Sequence, residues 1–124
     1  MTSQYVKENI KMLTVEALKE FGADTETGLA RCLNKEELYL KLVKKLAESD
    51  DLTKLEGAIA ENNLEAAFNA AHTLKGVTAN LSLDPILVPT SEMTEHLRRG
   101  DDVDYNSYLK EIRAQWEKFR ALVS

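Results

Sequence analysis

A histidine, a lysine and a glycine follow one another closely in the middle of the chain, at His72, Lys75 and Gly76. A neutral imidazole is a nucleophile, and histidine is the side chain that titrates closest to physiological pH. A lysine three residues later lies on an adjoining part of the same helix face, where its ammonium group can hold the oxygens of a phosphoryl group. The spacing therefore predicts a nucleophilic histidine with a phosphate-binding neighbour.

The run 63–82 is predicted to form the helix that exposes His72. One face of this run is apolar and lies opposite His72, and it consists of Ala67, Ala70, Leu74 and Leu81. Phe68 and Ala79 share the face of His72, and we expect them to contact a docking partner, although a core position for Phe68 is an equal alternative. A glycine inside a helix costs about 1 kcal/mol relative to alanine. Gly76 therefore indicates clearance for the approach of another macromolecule.

Two shorter helices are predicted before this run. The first ends at Gly22, and its apolar stripe consists of Val6, Ile10, Leu13, Ala17 and Phe21. The second lies at 29–33 and is expected to turn Leu29, Cys32 and Leu33 inward. Cys32 is the one cysteine of the chain and is predicted to be a small buried apolar residue.

Longer helices are predicted in the rest of the chain. Asn34 and Asn62 each precede an acidic residue by three positions, which is the pattern of a capping box at a helix start. Apolar residues change sides at 49–51, so a break is expected there. Asp84, followed by a proline, predicts the N-cap of the next helix. Gly100 ends it, and the last apolar stripe consists of Tyr105, Leu109, Ile112, Trp116, Phe119 and Val123.

These elements predict an all-α protein of about five to seven helices. Short connections favour an antiparallel up-down four-helix bundle with additional N-terminal helices. We expect one domain over 1–124, with the N-terminal helices at about 4–33 and the bundle at about 35–123. A chain of 124 residues and 13.9 kDa is one ordinary domain, which excludes a kinase core carried together with a second substrate domain.

Charge and hydropathy exclude several classes of partner. The net charge is −5 and there is no basic block, so we expect no nucleic acid partner. The uncharged stretches 76–83 and 85–91 are far shorter than the roughly 20 apolar residues of a membrane-spanning helix, so we expect no membrane partner. No secretory signal is visible, and a single cysteine cannot form an internal disulfide. The expected compartment is the cytoplasm.

The segment around the histidine resembles the signature of histidine-containing phosphotransfer (HPt) domains. That signature reads His-x-Leu-Lys-Gly, and this chain has His72-Thr-Leu-Lys75-Gly76. The runs 28–31 and 37–43 upstream, and 95–101 downstream, are also similar to the family. The resemblance covers nearly the whole chain.

The resemblance implies a role for each matching residue. His72 is implied to be the phosphoryl acceptor, Lys75 its electrostatic partner and Gly76 the clearance residue. Two positions depart from the family pattern. Ser82 stands where a glycine is common, and Thr94 stands where many members have a glutamine that hydrogen-bonds the active imidazole. Thr94 is therefore a candidate for orienting His72, and because threonine is shorter than glutamine, Glu95 or a water is the alternative for this contact.

The function implied is that of a stand-alone relay in two-component signalling of the bacterial type. His72 would take a phosphoryl group from a receiver-domain aspartate and pass it to another, with response regulators or a hybrid histidine kinase as partners. We expect no cofactor and no metal on this chain, because Mg²⁺ belongs to the receiver. Without a phosphate-binding glycine loop, autonomous kinase activity is not expected, so the protein is predicted not to be an enzyme in its own right. A monomer is expected.

Other interpretations remain open at this level. A helical module could bind a receiver or a kinase without transferring phosphate. A small metalloprotein bundle is disfavoured because its ligands should converge in the core, whereas both histidines are expected to point elsewhere. His96 is predicted to be a solvated surface side chain, since no ligand pair accompanies it.

Overall fold

The structure is a computed structural model that describes residues 12–123. This part of the chain contains seven α-helices and no strand, which confirms the all-α prediction. The helices are α1 (Val15–Phe21), α2 (Thr25–Arg31), α3 (Glu36–Ala47), α4 (Asp51–Ala60), α5 (Leu64–Asn80), α6 (Asp84–Arg99) and α7 (Tyr105–Val123). Among these seven, none combines the length and the apolar composition that crossing a bilayer requires.

The longer helices pack around one apolar core. Helix α5 lies between α4 and α6, α6 also packs on α7, and α7 contacts α1, α3 and α4. The predicted stripe of α7 is confirmed, because its residues from Tyr105 to Phe119 are buried and Val123 is half-buried. The largest fully buried side chains come from six of the helices and include Leu18, Tyr39, Leu55, Leu74, Ile86 and Phe119. Burial of such side chains from sequence-distant helices is what holds α5 in place.

The first described helix begins later than its stripe predicts. Thr14 has an extended backbone, with φ −133° and ψ 158°, and its side chain accepts a hydrogen bond from the Ala17 N–H. This N-cap sets the helix start at Val15, so the prediction of a helix running through Leu13 is wrong, although Leu13 is buried. Val6 and Ile10 lie outside the described residues. The predicted stop at Gly22 is confirmed by its left-handed φ of 112°.

The turn between α2 and α3 differs from the prediction. Leu33 and Asn34 both have left-handed backbones, with φ of 58° and 57°. Two consecutive residues of this kind reverse the chain and turn Leu33 outward, where 74% of it is exposed, so its predicted inward position is wrong. The N-cap of α3 is Lys35 and not Asn34. Cys32 is buried, as predicted.

Two further helix starts are displaced by one residue. Asn63 and not Asn62 caps α5, because Asn62 adopts a left-handed φ of 55° and the Asn63 side chain accepts from the Ala66 N–H at 3.1 Å. Helix α6 already includes Asp84, with Leu83 at its N-cap. The predicted break is confirmed, since α3 ends at Ala47 and α4 begins at Asp51. The predicted end of α6 at Gly100 is confirmed by a φ of 70°.

Candidate functional site

Helix α5 presents His72 to solvent. Its buried face consists of Ala67, Ala71, Leu74 and Thr78, and Ala70, which the sequence assigned to this face, is half-buried. These small or apolar residues lie on the side of the helix that packs against α4 and α6, so the opposite side stays outside the core. His72 is on that side and is exposed, which confirms the predicted position of the imidazole.

The far end of α5 is fixed by residues from the first part of the chain. Arg31 Nη1 donates a 2.8 Å hydrogen bond to the carbonyl oxygen of Ala79, and the Asp24 N–H donates to the carbonyl oxygen of Ser82 at 2.9 Å. The carbonyl of Ala79 is in the last turn of α5, where carbonyls lack partners within the helix, so the Arg31 donor stabilises this turn. The bond from Asp24 holds the chain two residues beyond the helix end. Ala79 itself is half-buried. Its predicted role in docking stays a prediction.

Phe68 lies directly beside His72. The two rings are stacked, with centroids 5.7 Å apart and planes inclined by 22°. The guanidinium carbon of Arg98 lies 5.1 Å from the centroid of the Phe68 ring, within the range of a cation–π contact. Phe68 is half-buried, so it belongs neither fully to the core nor fully to the surface. Its contacts restrict both the imidazole and the guanidinium.

Lys75 is paired with an acidic residue of the neighbouring helix. Its Nζ lies 3.9 Å from Glu95 Oε2, and the same oxygen accepts a 3.2 Å hydrogen bond from Arg98 Nε. Both side chains of the Lys75–Glu95 pair are partly exposed. We refer to Phe68, His72, Lys75, Glu95 and Arg98 as the His72 cluster. It combines one exposed nucleophile, two cations and one anion.

Of Glu95 and Arg98, sequence reasoning named only Glu95, as an alternative to Thr94 for the contact with His72. Both lie on α6, and they reach the cluster because α6 packs along α5. Their spacing of three residues on one helix was a local signal of an ion pair. Nothing local indicated that this pair would meet Lys75 and Phe68.

Gly76 occupies an open position on α5. A Cβ added there would meet no heavy atom within 4 Å apart from its chain neighbours and the adjacent backbone of α5. Packing within the described chain therefore gives no reason for a glycine, in contrast to Gly28, whose Cβ would lie 2.7 Å from the ring of Tyr39. A requirement for Gly76 must come from outside this packing, as the predicted clearance role assumes.

Thr94 is fully buried and does not share the exposure of His72. Its hydroxyl donates a 2.6 Å hydrogen bond to the carbonyl oxygen of Thr90 on the same helix. The one proton of this hydroxyl is thereby used within α6. The predicted role of Thr94 in orienting His72 stays a prediction that this hydrogen bond does not support.

Ser82 has a left-handed backbone, with φ of 56°, and is buried. Glycine adopts this conformation without steric cost, which accounts physically for the glycine that the resemblance led us to expect there.

His96 is partly buried and has charged partners, so the prediction of a solvated side chain is wrong. Its Nδ1 lies 2.8 Å from Asp101 Oδ2, and the same oxygen accepts a 2.9 Å hydrogen bond from Arg99 Nε. These bonds, that of His96 foremost, lower the pKa of the Asp101 carboxyl. Within 12–123, no group of three or more His, Cys, Asp or Glu is placed to hold a metal ion.

The chain was compared with known families and proteins. The family model described as Hpt domain matches residues 46–122, which is more than half of the chain and includes the whole His72 cluster. The searches of curated proteins and of solved structures gave no significant match.

Proposed function

Because this chain belongs to the Hpt domain family, whose members carry out histidine phosphotransfer in phosphorelay signalling, we propose that His72 is its phosphoryl acceptor. The proposed donor is the phosphorylated aspartate of a receiver domain, and the proposed acceptor is the aspartate of another receiver. The observation that carries this proposal is the exposed imidazole of His72 within the matched segment, with two cations in its cluster.

The transfer step needs an unprotonated imidazole nitrogen and an approach in line with the bond that breaks. That nitrogen attacks the phosphorus of the aspartyl phosphate, and a nitrogen–phosphorus bond forms. The bond between phosphorus and the aspartate oxygen breaks, and its electron pair leaves with the carboxylate. The other imidazole nitrogen then releases its proton. The reverse sequence on a second receiver returns the imidazole to its starting form.

The two cations of the His72 cluster support this step electrostatically. A phosphoryl group brings roughly −1.5 to −2 charges at neutral pH. Lys75, one helical turn after His72 on the same helix, is the first candidate for its oxygens, and Arg98 adds a second positive charge on α6. Gly76 leaves space beside His72, and Phe68 and Ala79 are the proposed contacts of the receiver.

We assign Mg²⁺ to the receiver. Divalent magnesium prefers several oxygen ligands, and Glu95 is the single carboxylate of the His72 cluster, where it is already bound by Arg98. The chain itself is then a carrier of the phosphoryl group and not an autonomous kinase.

The wider organisation follows from the same proposal. We propose an antiparallel up-down four-helix bundle within a single domain spanning 1–124. In support, Phe68 contacts Arg98 while the later Lys75 contacts the earlier Glu95, so contacts run in opposite order along α5 and α6. We further propose that the protein acts as a cytoplasmic monomer, with Cys32 reduced and buried.

The proposal is tested by incubating the protein with a receiver domain that carries a labelled phosphoryl group. Label is expected on the wild-type protein and on a His96→Gln variant, but not on His72→Gln. His96→Gln is the matched control, because it removes the other histidine. Absence of label on the wild type, with binding to the receiver retained, would establish instead a helical module that binds without transfer. Label surviving in His72→Gln would also overturn the assignment.

A further inference from the structure

The His72 cluster contains a carboxylate, that of Glu95, although a site without a negative charge would bind a phosphoryl group more tightly. Glu95 Oε2 lies 3.9 Å from Lys75 Nζ and 3.2 Å from Arg98 Nε, so one carboxylate oxygen is shared by both cations of the cluster. The cations that could hold a phosphoryl group are thus already neutralised in part. Partial neutralisation of these cations by Glu95 makes phosphorylation of His72 less favourable, and the proposed function alone does not explain why a carboxylate is there.

A phosphoryl group on His72 has to compete with Glu95. Its negative charge is repelled by the carboxylate, and its oxygens need the same ammonium and guanidinium groups. We propose that Glu95 lowers the affinity of His72 for the phosphoryl group and thereby makes the phosphorylated protein a ready donor. This inference rests on the proposed function of His72 and names a residue that tunes the same site.

The two cations differ in how freely they can change partner. Arg98 is restrained, because its guanidinium lies over the Phe68 ring while its Nε binds Glu95. Lys75 is held by the longer 3.9 Å contact alone among the contacts described for its ammonium, and its flexible side chain starts one turn from His72. Lys75 is therefore the cation that moves from Glu95 to the phosphoryl oxygens, while Arg98 keeps the carboxylate in place.

The size of the effect follows from the exposure of the groups. Ion pairs between partly exposed side chains contribute up to about 1 kcal/mol, which corresponds to a change of roughly twofold to fivefold in an equilibrium constant. An effect of this size shifts how the phosphoryl group is divided between two proteins without preventing transfer in either direction.

The test compares Glu95→Gln with Glu92→Gln, which removes an exposed charge from the same helix outside the cluster. Each protein is brought to equilibrium with a labelled phosphorylated receiver, and label on each partner is counted. Glu95→Gln is expected to raise the ratio of label on His72 to label on the receiver about twofold to fivefold. Wild type and Glu92→Gln should agree with each other, and the charge-retaining Glu95→Asp should lie closer to wild type than Glu95→Gln does. The shift should shrink at about 1 M salt, where exposed charges are screened.

The outcomes separate this inference from the proposed function. If Glu95→Gln and Glu92→Gln give the same ratio of label on His72 to label on the receiver, the role of Glu95 is overturned. A shift in this ratio that persists unchanged at high salt overturns it as well. If the wild type takes no label, or if His72→Gln is still labelled, the proposed function fails instead. Urea unfolding of each variant identifies any difference that comes from loss of the fold.

Discussion

The hydroxyl of Tyr39 donates a 2.9 Å hydrogen bond to the carbonyl oxygen of Leu81, which lies 42 residues later in the chain. Gly28 lies against both groups, since a Cβ there would be 2.7 Å from the Tyr39 ring and 2.8 Å from the Leu81 oxygen. Together with the bond from Arg31 to Ala79, this contact ties α2 and α3 to the end of α5. The helix that carries His72 is thus held by residues that precede the segment matched by the family model.

We expect Gly28→Ala to destabilise the protein by about 1–3 kcal/mol, because the added methyl group meets a backbone oxygen that cannot move cheaply. Gly57→Ala is the matched control. A Cβ at Gly57 meets nothing within 4 Å, so this change should stabilise α4 by about 0.5–1 kcal/mol. Urea unfolding measures the free energy of unfolding of both variants and of wild type. Equal stability of the two variants would contradict the close contact at Gly28.

Ionisation of the Tyr39 hydroxyl lowers the stability of the folded protein at alkaline pH. Burial, and to a lesser degree the surrounding negative groups, raises the pKa of this hydroxyl from 10.0 to about 12. Between these two values the unfolded chain ionises while the folded protein keeps its proton, so the free energy of unfolding falls as pH rises.

Tyr39→Phe removes this titration along with the hydrogen bond to Leu81. At about pH 8 the variant should be less stable than wild type by about 1–2 kcal/mol, because a buried carbonyl loses its donor. At about pH 11.5 the difference should be smaller, because only the wild type has lost stability through this residue. Urea unfolding at both pH values measures the difference. A difference that does not change with pH would show that Tyr39 is not the group concerned.

Ser82 tests the left-handed turn after α5. Ser82→Val should cost about 1–2 kcal/mol or more, because a β-branched residue is strongly disfavoured at a φ of 56°. Ser82→Gly should stay within about 1 kcal/mol of wild type, since relief of backbone strain is offset by the greater freedom of glycine in the unfolded chain. Thermal unfolding ranks the three proteins. A valine variant as stable as wild type would be inconsistent with this backbone conformation.

A substitution at Gly76 should affect the stability of the protein and the rate of phosphotransfer in opposite directions. Gly76→Ala should stabilise the isolated protein by about 0.5–1 kcal/mol, as at Gly57, because both positions are open and helical. If Gly76 provides clearance for a receiver, only Gly76→Ala should slow the initial rate of phosphotransfer. The rate is measured for Gly76→Ala and Gly57→Ala in parallel, by quenching the labelling reaction at a series of early time points. Equal rates would remove the reason for a glycine at this position.

The exposure of His72 could be predicted from sequence because it depends on a local repeat. The spacing of the apolar residues along one helix decides which side faces the core, whatever the helix packs against. The partners of His72 could not be predicted in the same way. Whether Glu95 reaches Lys75 depends on how far α6 is displaced and rotated along α5, and packing of the whole core decides both.

The ends of helices show a second limit of prediction from sequence. Asn62 and Asn63 are equally good N-caps by residue type, and the left-handed φ of Asn62 assigns the role to its neighbour. Leu33 looks like a core residue in a list of apolar positions, yet the turn that follows α2 exposes it. Backbone reversals of this kind place a side chain independently of its hydropathy.

His72 is the central residue of α5, eight positions after Leu64 and eight before Asn80. The partial charges at the two ends of a helix act within about one turn, and free backbone amides occur only in its first turn. Many proteins hold phosphate with such amides, which no side-chain substitution can remove. At the centre of α5 a phosphoryl group would be held by exchangeable side chains alone. Its affinity can therefore be adjusted by single substitutions on α5 and α6 that leave the backbone of the relay unchanged.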